Sequence, residues 1–217
     1  MDIGDIKEIH PPTLGWLEKK LTQKELDYVW KCVGNKIKTK NSSSRLGKFI
    51  DVERGLDGDA DSTYDLVDLD EWFFRNTLDP LIKIYQKEFK STNNSLSYGL
   101  EQWWVNYQHQ NEFIPLHLHY SVYSFVIWLK FPTDYETQKK YVLDKGLDGD
   151  VVSSFQFSYR DILGDPLVYN YPMRSEAEGI LLFFPSKCVH QVYPFYNCKG
   201  QRISVSGNIA IRSKIYS

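Results

Sequence analysis

Apolar positions recur at helical spacing over the first ~95 residues and at strand spacing thereafter. The segment "LTQKELDYVWKCVGNKI" opens with Thr22 and Glu25 in capping-box spacing, which satisfies the first free N–H groups of a helix. Leu26, Val29, Trp30, Val33 and Ile37 then fall on one helical face. "NSSSRLG" reads as a loop. A second helix is expected from near Asp70, carrying Trp72, Phe73, Leu78, Leu81, Ile82, Tyr85 and Phe89, with Pro80 kinking it or marking a boundary. From Leu100 the runs are short and of β type: "LEQWWVNYQ", "SVYSFVIWLKF", "VVSSFQFSY", "GILLFF", "HQVYPF" and "QRISVSGNIAI", with Gly, Pro, Asn or Asp between them. Strands in such succession predict an antiparallel sandwich or barrel, and helices placed before them predict a buttress on one face. The expected class is α+β, mainly β: one compact domain with a helical region over 1–95 and a β core over 96–217.

Composition sharpens this only in part. The aromatic share of 15% lies in the strand-like runs and favours a β-rich core. A net charge of −2 without a concentrated basic patch gives no electrostatic case for nucleic acid, and Lys36, Lys38 and Lys40 read as a solvated loop. The start "MDIGDIKEIH" lacks the basic and apolar regions of a signal peptide, and no window approaches the ~18 apolar residues of a membrane span. Cys32, Cys188 and Cys198 are odd in number and not at metal spacing, so free thiols in a cytoplasmic setting are expected; a Cys188–Cys198 disulfide is the weaker option. "GLDGD" occurs at Gly55–Asp59 and Gly146–Asp150. The first copy runs on through Asp61, Asp65 and Asp68 in an EF-hand-like rhythm, but Ser62 stands where that loop needs Gly and Asp68 where it needs Glu. Turn-rich loops account for both copies.

The chemistry concentrates in "EFIPLHLHYSVYSFVIWLKFP". Residues two apart on a strand share a side, so His117 and His119 project together, with Leu116 and Leu118 turned the other way into apolar packing. Two neutral imidazoles converging from one strand end are a natural pair of metal ligands. His190, in "FFPSKCVHQVYPF", is the candidate third, whereas His10 and His109 read as surface or packed histidines. Further on, Arg202, Ser204, Ser206 and Asn208 alternate with Ile203 and Val205. This polar face either lines a pocket or lies in water on a half-exposed strand.

These elements resemble the 2-oxoglutarate- and Fe(II)-dependent oxygenases, above all the prolyl-hydroxylase-like and bacteriophage-encoded branch. "HLH", "FPSKCVHQVYPF" and "QRISVSGNIA" correspond to the family's His-x-Asp pair, distant His and following Arg, and the "WVNY" run also looks like the phage members. The likeness spans roughly Leu100 to Ile211. It implies a double-stranded β-helix, or jelly-roll, core. It also implies Fe(II) on His117, His119 and His190, with His119 in the place of the usual Asp; Glu112 or water is the alternative at that position. The distal carboxylate of 2-oxoglutarate would pair with Arg202, and Ser204, Ser206 and Asn208 would line the pocket beside it. Tyr107 matches a tyrosine that reaches the cosubstrate, and Trp128 takes the place of a second, here read as core. A His for Asp removes one negative charge from the metal and alters its redox potential.

The resemblance implies a dioxygenase that couples oxidative decarboxylation of 2-oxoglutarate to hydroxylation of a C–H bond. A protein or peptide side chain is the leading substrate; neither nucleic acid nor membrane is an expected partner. The location would be cytoplasmic, in a bacterial host if the chain is phage-encoded. Two alternatives are a three-histidine cupin-type dioxygenase without 2-oxoglutarate and a non-enzymatic jelly-roll binding or structural protein. "PTDYETQKKYVLDKGLDGD" and "RDILGDPLVYNYPMRSEAEG" read as long loops flanking the mouth.

Overall fold

The computed structural model describes residues 14–38, 63–89, 96–146 and 149–212. His10, the "NSSSRLG" loop and the first "GLDGD" copy lie outside the described residues, as does part of the second copy.

The elements in order are β1 (Leu17–Lys20), α1 (Gln23–Gly34), β2 (Ile37–Lys38), β3 (Thr63–Asp65), α2 (Asp79–Glu88), β4 (Tyr98–Gln108), β5 (Ile114–His117), β6 (Tyr123–Lys130), α3 (Tyr135–Leu143), β7 (Ser154–Arg160), β8 (Pro166–Pro172), β9 (Ile180–Pro185), β10 (Val189–Val192) and β11 (Arg202–Ile211). The strands build two antiparallel sheets, one ordered β1-β9-β6-β11-β4-β3-β2 and the other β5-β10-β7-β8. Packed face to face they form the mainly β, jelly-roll architecture expected from the sequence.

Strand parity divides the core in two. Odd positions of β4, β6 and β11, among them Trp103, Val105, Phe125, Ile127, Val205 and Ile209, join Val29, Val33, Leu81 and Ile82 of the helices. Even positions such as Val126 and Trp128 turn inward to meet Phe155 and Phe157 of β7 across the sandwich. Each fully buried large side chain contributes roughly 1.5–3 kcal/mol by leaving water. Gly207 lies where β11 passes between β4 and β6, and a Cβ there would come within 2.5 Å of the Phe125 ring and 2.8 Å of the Gln102 carbonyl oxygen. Gly207→Ala is therefore expected to destabilise the fold by ~1–3 kcal/mol, read as a lowered denaturant midpoint.

Helix α1 starts at the capping box, with Glu25 Oε2 accepting from the Thr22 N–H at 2.8 Å. Its buried positions are Glu25, Val29, Cys32 and Val33; Trp30 is 38% exposed, and Ile37 falls beyond the helix on β2. The second helical region is broken into a 3-10 turn, Leu69–Glu71, a π-helical turn, Phe74–Leu78, and α2. Pro80 stands in the first turn of α2, where its missing N–H costs no hydrogen bond, so it marks a boundary. Asp68 is engaged as an acceptor for the N–H groups of Phe73 at 2.9 Å and Phe74 at 2.8 Å, which gives it a capping role.

Two segments read as loops are ordered elements. "YETQKKYVL" forms α3 because Asp134 accepts the Thr137 N–H at 3.0 Å. "PLVYNYP" forms β8 because it pairs along its length with β7. The segment before residue 96 also supplies three strands, β1 to β3, too short for a periodic signal.

Candidate active site

β5 and β10 pair with His117 directly opposite His190. His119 lies two residues past the end of β5, and its N–H donates to the Ser186 carbonyl at 2.8 Å, fastening it beside β9. Leu116, expected to pack inward, is 43% exposed, because β5 is an edge strand with its outer side toward solvent. The three imidazoles converge: ring centroids lie 4.1 Å apart for His117 and His190, 5.1 Å for His117 and His119, and 5.2 Å for His119 and His190. One ring nitrogen from each lies within 4.8 Å of the others, and all three residues are buried.

Backbone carbonyls fix two of the tautomers. His117 Nδ1 bonds the Pro115 oxygen at 2.8 Å and His190 Nδ1 bonds the Cys188 oxygen at 2.8 Å. A carbonyl only accepts, so each hydrogen sits on Nδ1 and each lone pair on Nε2. Phe155, Phe157 and Phe184 surround His190, and Trp104 faces His119 with centroids 6.1 Å apart. In this apolar nest burial drives the His190 pKa well below its usual range. Burial, assisted by His117, lowers His119 to about 3, and burial lowers His117 against the opposing pull of backbone groups.

Such imidazoles stay neutral, the form that binds metal. An imidazole with a folded pKa below its ordinary value near 6.5 takes up its proton first in the unfolded chain. Stability of the metal-free protein is therefore full above pH ~6.5. It falls as the pH drops toward the folded values, by about 1.4 kcal/mol per pH unit for each histidine. Denaturant midpoints of the metal-free protein between pH 8 and pH 5 test this.

Arg202 opens β11 and is only 2% exposed. Its Nη1 donates to Gln108 Oε1 at 3.1 Å and to the Tyr193 carbonyl at 3.2 Å, and its Nη2 donates to Ser153 Oγ at 2.9 Å. The Phe195 ring lies 4.9 Å from its Cζ. Burial pushes its pKa down to about 9, which still leaves it a cation at neutral pH. Among the described residues no carboxylate pairs with it. Of the five guanidinium N–H groups, three are engaged; Nε has no partner and one hydrogen of Nη2 is left over. A buried cation with donors to spare on two neighbouring nitrogens has the geometry that can receive a carboxylate in a two-pronged contact.

The other expected cosubstrate residues are placed differently. Ser204 is the nearest to Arg202 on the inner face, set between Asn106 of β4 and Trp128 of β6. Ser206 lies one further alternation away, opposite Trp104 and Val126. Asn208 is six residues along the strand, ~20 Å from Arg202 at strand rise, beyond the reach of one five-carbon ligand. Its amide is already engaged by Ser124 Oγ at 2.8 Å and Gln102 Oε1 at 3.2 Å. Tyr107 is turned away: it pairs with Ile203, packs on the helix-side core and meets Tyr64 edge-on at 5.8 Å. The neighbour that does face Arg202 is Gln108, one position along and so of opposite parity. Glu112 accepts the His109 N–H at 2.7 Å and stands outside the histidine cluster. Trp128 is core, against Phe155 and Tyr171.

Sequence reasoning missed Gln108 and Ser153. The alternation Gln102, Trp104, Asn106, Gln108 carried a signal for the first. Nothing announced Ser153, a buried non-glycine residue in the left-handed region at φ 47°.

The donor set fits a divalent metal, and the orphaned guanidinium fits a dicarboxylate. Residues 102–208 match the family model described as "Putative 2OG-Fe(II) oxygenase". No curated protein matches the chain. The fold is similar to a Pseudomonas putida prolyl-4-hydroxylase (TM-score 0.50, 14% identity, covering 93% of this chain and 95% of that one). It is also similar to a Trichoplax adhaerens prolyl hydroxylase solved with a hypoxia inducible factor peptide fragment (TM-score 0.53, 13% identity, 92% and 84% covered). A third similar structure is the α-ketoglutarate-dependent epimerase SnoN from nogalamycin biosynthesis (TM-score 0.50, 11% identity, 91% and 78% covered). The matched segment, which carries all three histidines and Arg202, is that of a 2-oxoglutarate-dependent oxygenase. The cofactors of this enzyme class are Fe(II) and 2-oxoglutarate, and its oxidant is dioxygen. All three cysteines are free, and among the described residues no helix is long and apolar enough to cross a membrane.

Proposed function

We propose that this protein hydroxylates a C–H bond of a protein or peptide side chain, with Fe(II) held by His117, His119 and His190 and 2-oxoglutarate anchored by Arg202. The observation that carries the reading is Arg202 itself, a buried cation without a carboxylate partner among the described residues, tied through the carbonyl of Tyr193 to the end of the strand that bears His190. When bound, the metal and 2-oxoglutarate supply the oxidising chemistry; overall, 2-oxoglutarate, dioxygen and R–H give succinate, carbon dioxide and R–OH. The chain's own contribution is positional. Pro115 and Cys188 fix the ring orientations of His117 and His190, the phenylalanine nest excludes water, and Gln108 and Ser153 hold the guanidinium.

Ser204 is the hydroxyl best placed to assist Arg202; Ser206, Asn208 and Tyr107 take no part in this anchor. A three-histidine dioxygenase working without 2-oxoglutarate would leave Arg202 without a role. The peptide substrate is supported by the likeness of fold to two prolyl hydroxylases, although the likeness to an epimerase means that fold alone does not select it. Kinship with phage-encoded members is supported by the "WVNY" run, and a reducing, cytoplasmic setting by the three free thiols.

The test is anaerobic titration of 2-oxoglutarate into the Fe(II)-loaded protein, followed by its visible metal-to-ligand absorption, then succinate production on admitting dioxygen in the presence of proline-containing peptides. A peptide mass gain of one oxygen is expected. Absence of both the absorption band and succinate would reject the proposal.

A further inference from the structure

Gln108, the last residue of β4, is buried and uses both ends of its amide. Oε1 accepts from Arg202 Nη1 at 3.1 Å, and Nε2 donates to the Glu112 carbonyl at 2.6 Å. The two partners leave one amide orientation, with oxygen toward the guanidinium. Glu112 belongs to the turn that leads into β5 and hence to His117. That turn is also clamped to the segment after β10, through the Asn111 N–H to the Phe195 carbonyl at 2.9 Å and the Cys198 N–H to Gln110 Oε1 at 3.0 Å.

We infer that Gln108 is a positioning residue for the cosubstrate: it orients the Arg202 guanidinium without neutralising it and ties that group to the turn preceding His117. The inference rests on the role proposed above for Arg202. The residue type follows from the two contacts. A glutamate of the same shape would place a permanent carboxylate on the one buried cation that lacks a carboxylate partner among the described residues. It would compete there with any incoming carboxylate and would also bring an acceptor against the Glu112 carbonyl. An apolar residue would leave an Nη1 hydrogen unpaired and release the turn. A neutral amide accepts from the guanidinium at one end and donates to the carbonyl at the other.

The test compares the parent with Gln108→Glu and Gln108→Met in three measurements: Fe(II) content, 2-oxoglutarate affinity of the anaerobic Fe(II) protein, and thermal unfolding of the metal-free protein. Gln108→Glu should bind metal as the parent does and lose 2-oxoglutarate affinity by roughly 30-fold or more, the scale of a desolvated charge contact. Its unfolding temperature should hold or rise, since the new carboxylate pairs with Arg202. Gln108→Met should lose about tenfold in affinity, the scale of one buried hydrogen bond to a charged group, with a lowered unfolding temperature. A merely structural glutamine predicts lowered stability in both variants with affinity unchanged, and that result overturns the inference while leaving the anchor in place. If the parent itself fails to bind 2-oxoglutarate, the reading of Arg202 falls and this inference falls with it. Should one variant not fold, the affinity of the other still decides.

Discussion

His190→Ala is expected to abolish most metal binding while the jelly-roll still forms. His117 and His119 come from one continuous segment, the end of β5 and the residues just past it, so together they cover one side of an ion. His190 reaches in from β10, opposite His117 in the strand register. Without it the remaining pair leaves the ion open to water, and affinity should fall by more than the roughly 10–100-fold that loss of an outer-shell contact causes. Metal analysis after dialysis reads the outcome, with circular dichroism as the control for folding. Full occupancy in the variant would remove His190 from the ligand set. His119→Asp is the complementary case. It recreates the commoner two-histidine, one-carboxylate set, so Fe(II) should be retained. The metal-free form should lose stability at neutral pH, because a carboxylate would then be buried beside two neutral imidazoles and away from water.

How much of this was legible depends on which physical signal carried each residue. The inward turn of His117, the buried face of β6 and the polar parity of β11 all follow from alternation along strands, which sequence displays directly. His119 was legible as a partner of His117, although it sits past the strand end and owes its position to a bond with Ser186 rather than to strand geometry. Tyr107 shows where counting from a family motif fails. A shift of one residue crosses the sheet, so spacing pointed to Tyr107 while pairing with Arg202 selects Gln108. The even positions of β4 from Gln102 to Gln108, polar or aromatic throughout, held that information. Helix α3 and strand β8 were hidden for a different reason: Asp134 capping and pairing with β7 decide them, and neither shows in local periodicity. Ser153 could not be read at all, because its position depends on three long-range contacts, with Pro194, Met173 and Arg202.

Arg202→Ala should retain the metal and lose 2-oxoglutarate. The guanidinium is buried against Phe195, and among the described residues it has hydrogen-bond partners but no carboxylate. Removing one member of a desolvated charged pair costs about 2–5 kcal/mol, on the order of thirtyfold or more in affinity. Arg202→Lys should recover only part, since an ammonium cannot reproduce two donors on neighbouring nitrogens. A second ligand isolates the contact. A 2-oxo acid without the distal carboxylate cannot use Arg202, so it should bind parent and Arg202→Ala alike, and the difference between the two ligands should vanish in the variant. The measurement is the visible absorption of the anaerobic Fe(II) complex as each acid is titrated. Undiminished affinity for 2-oxoglutarate in Arg202→Ala would take the anchor away from this residue. 2-Oxoglutarate would then be held by other groups, and the buried guanidinium would be left with the structural role its bonds to Gln108, Tyr193 and Ser153 describe.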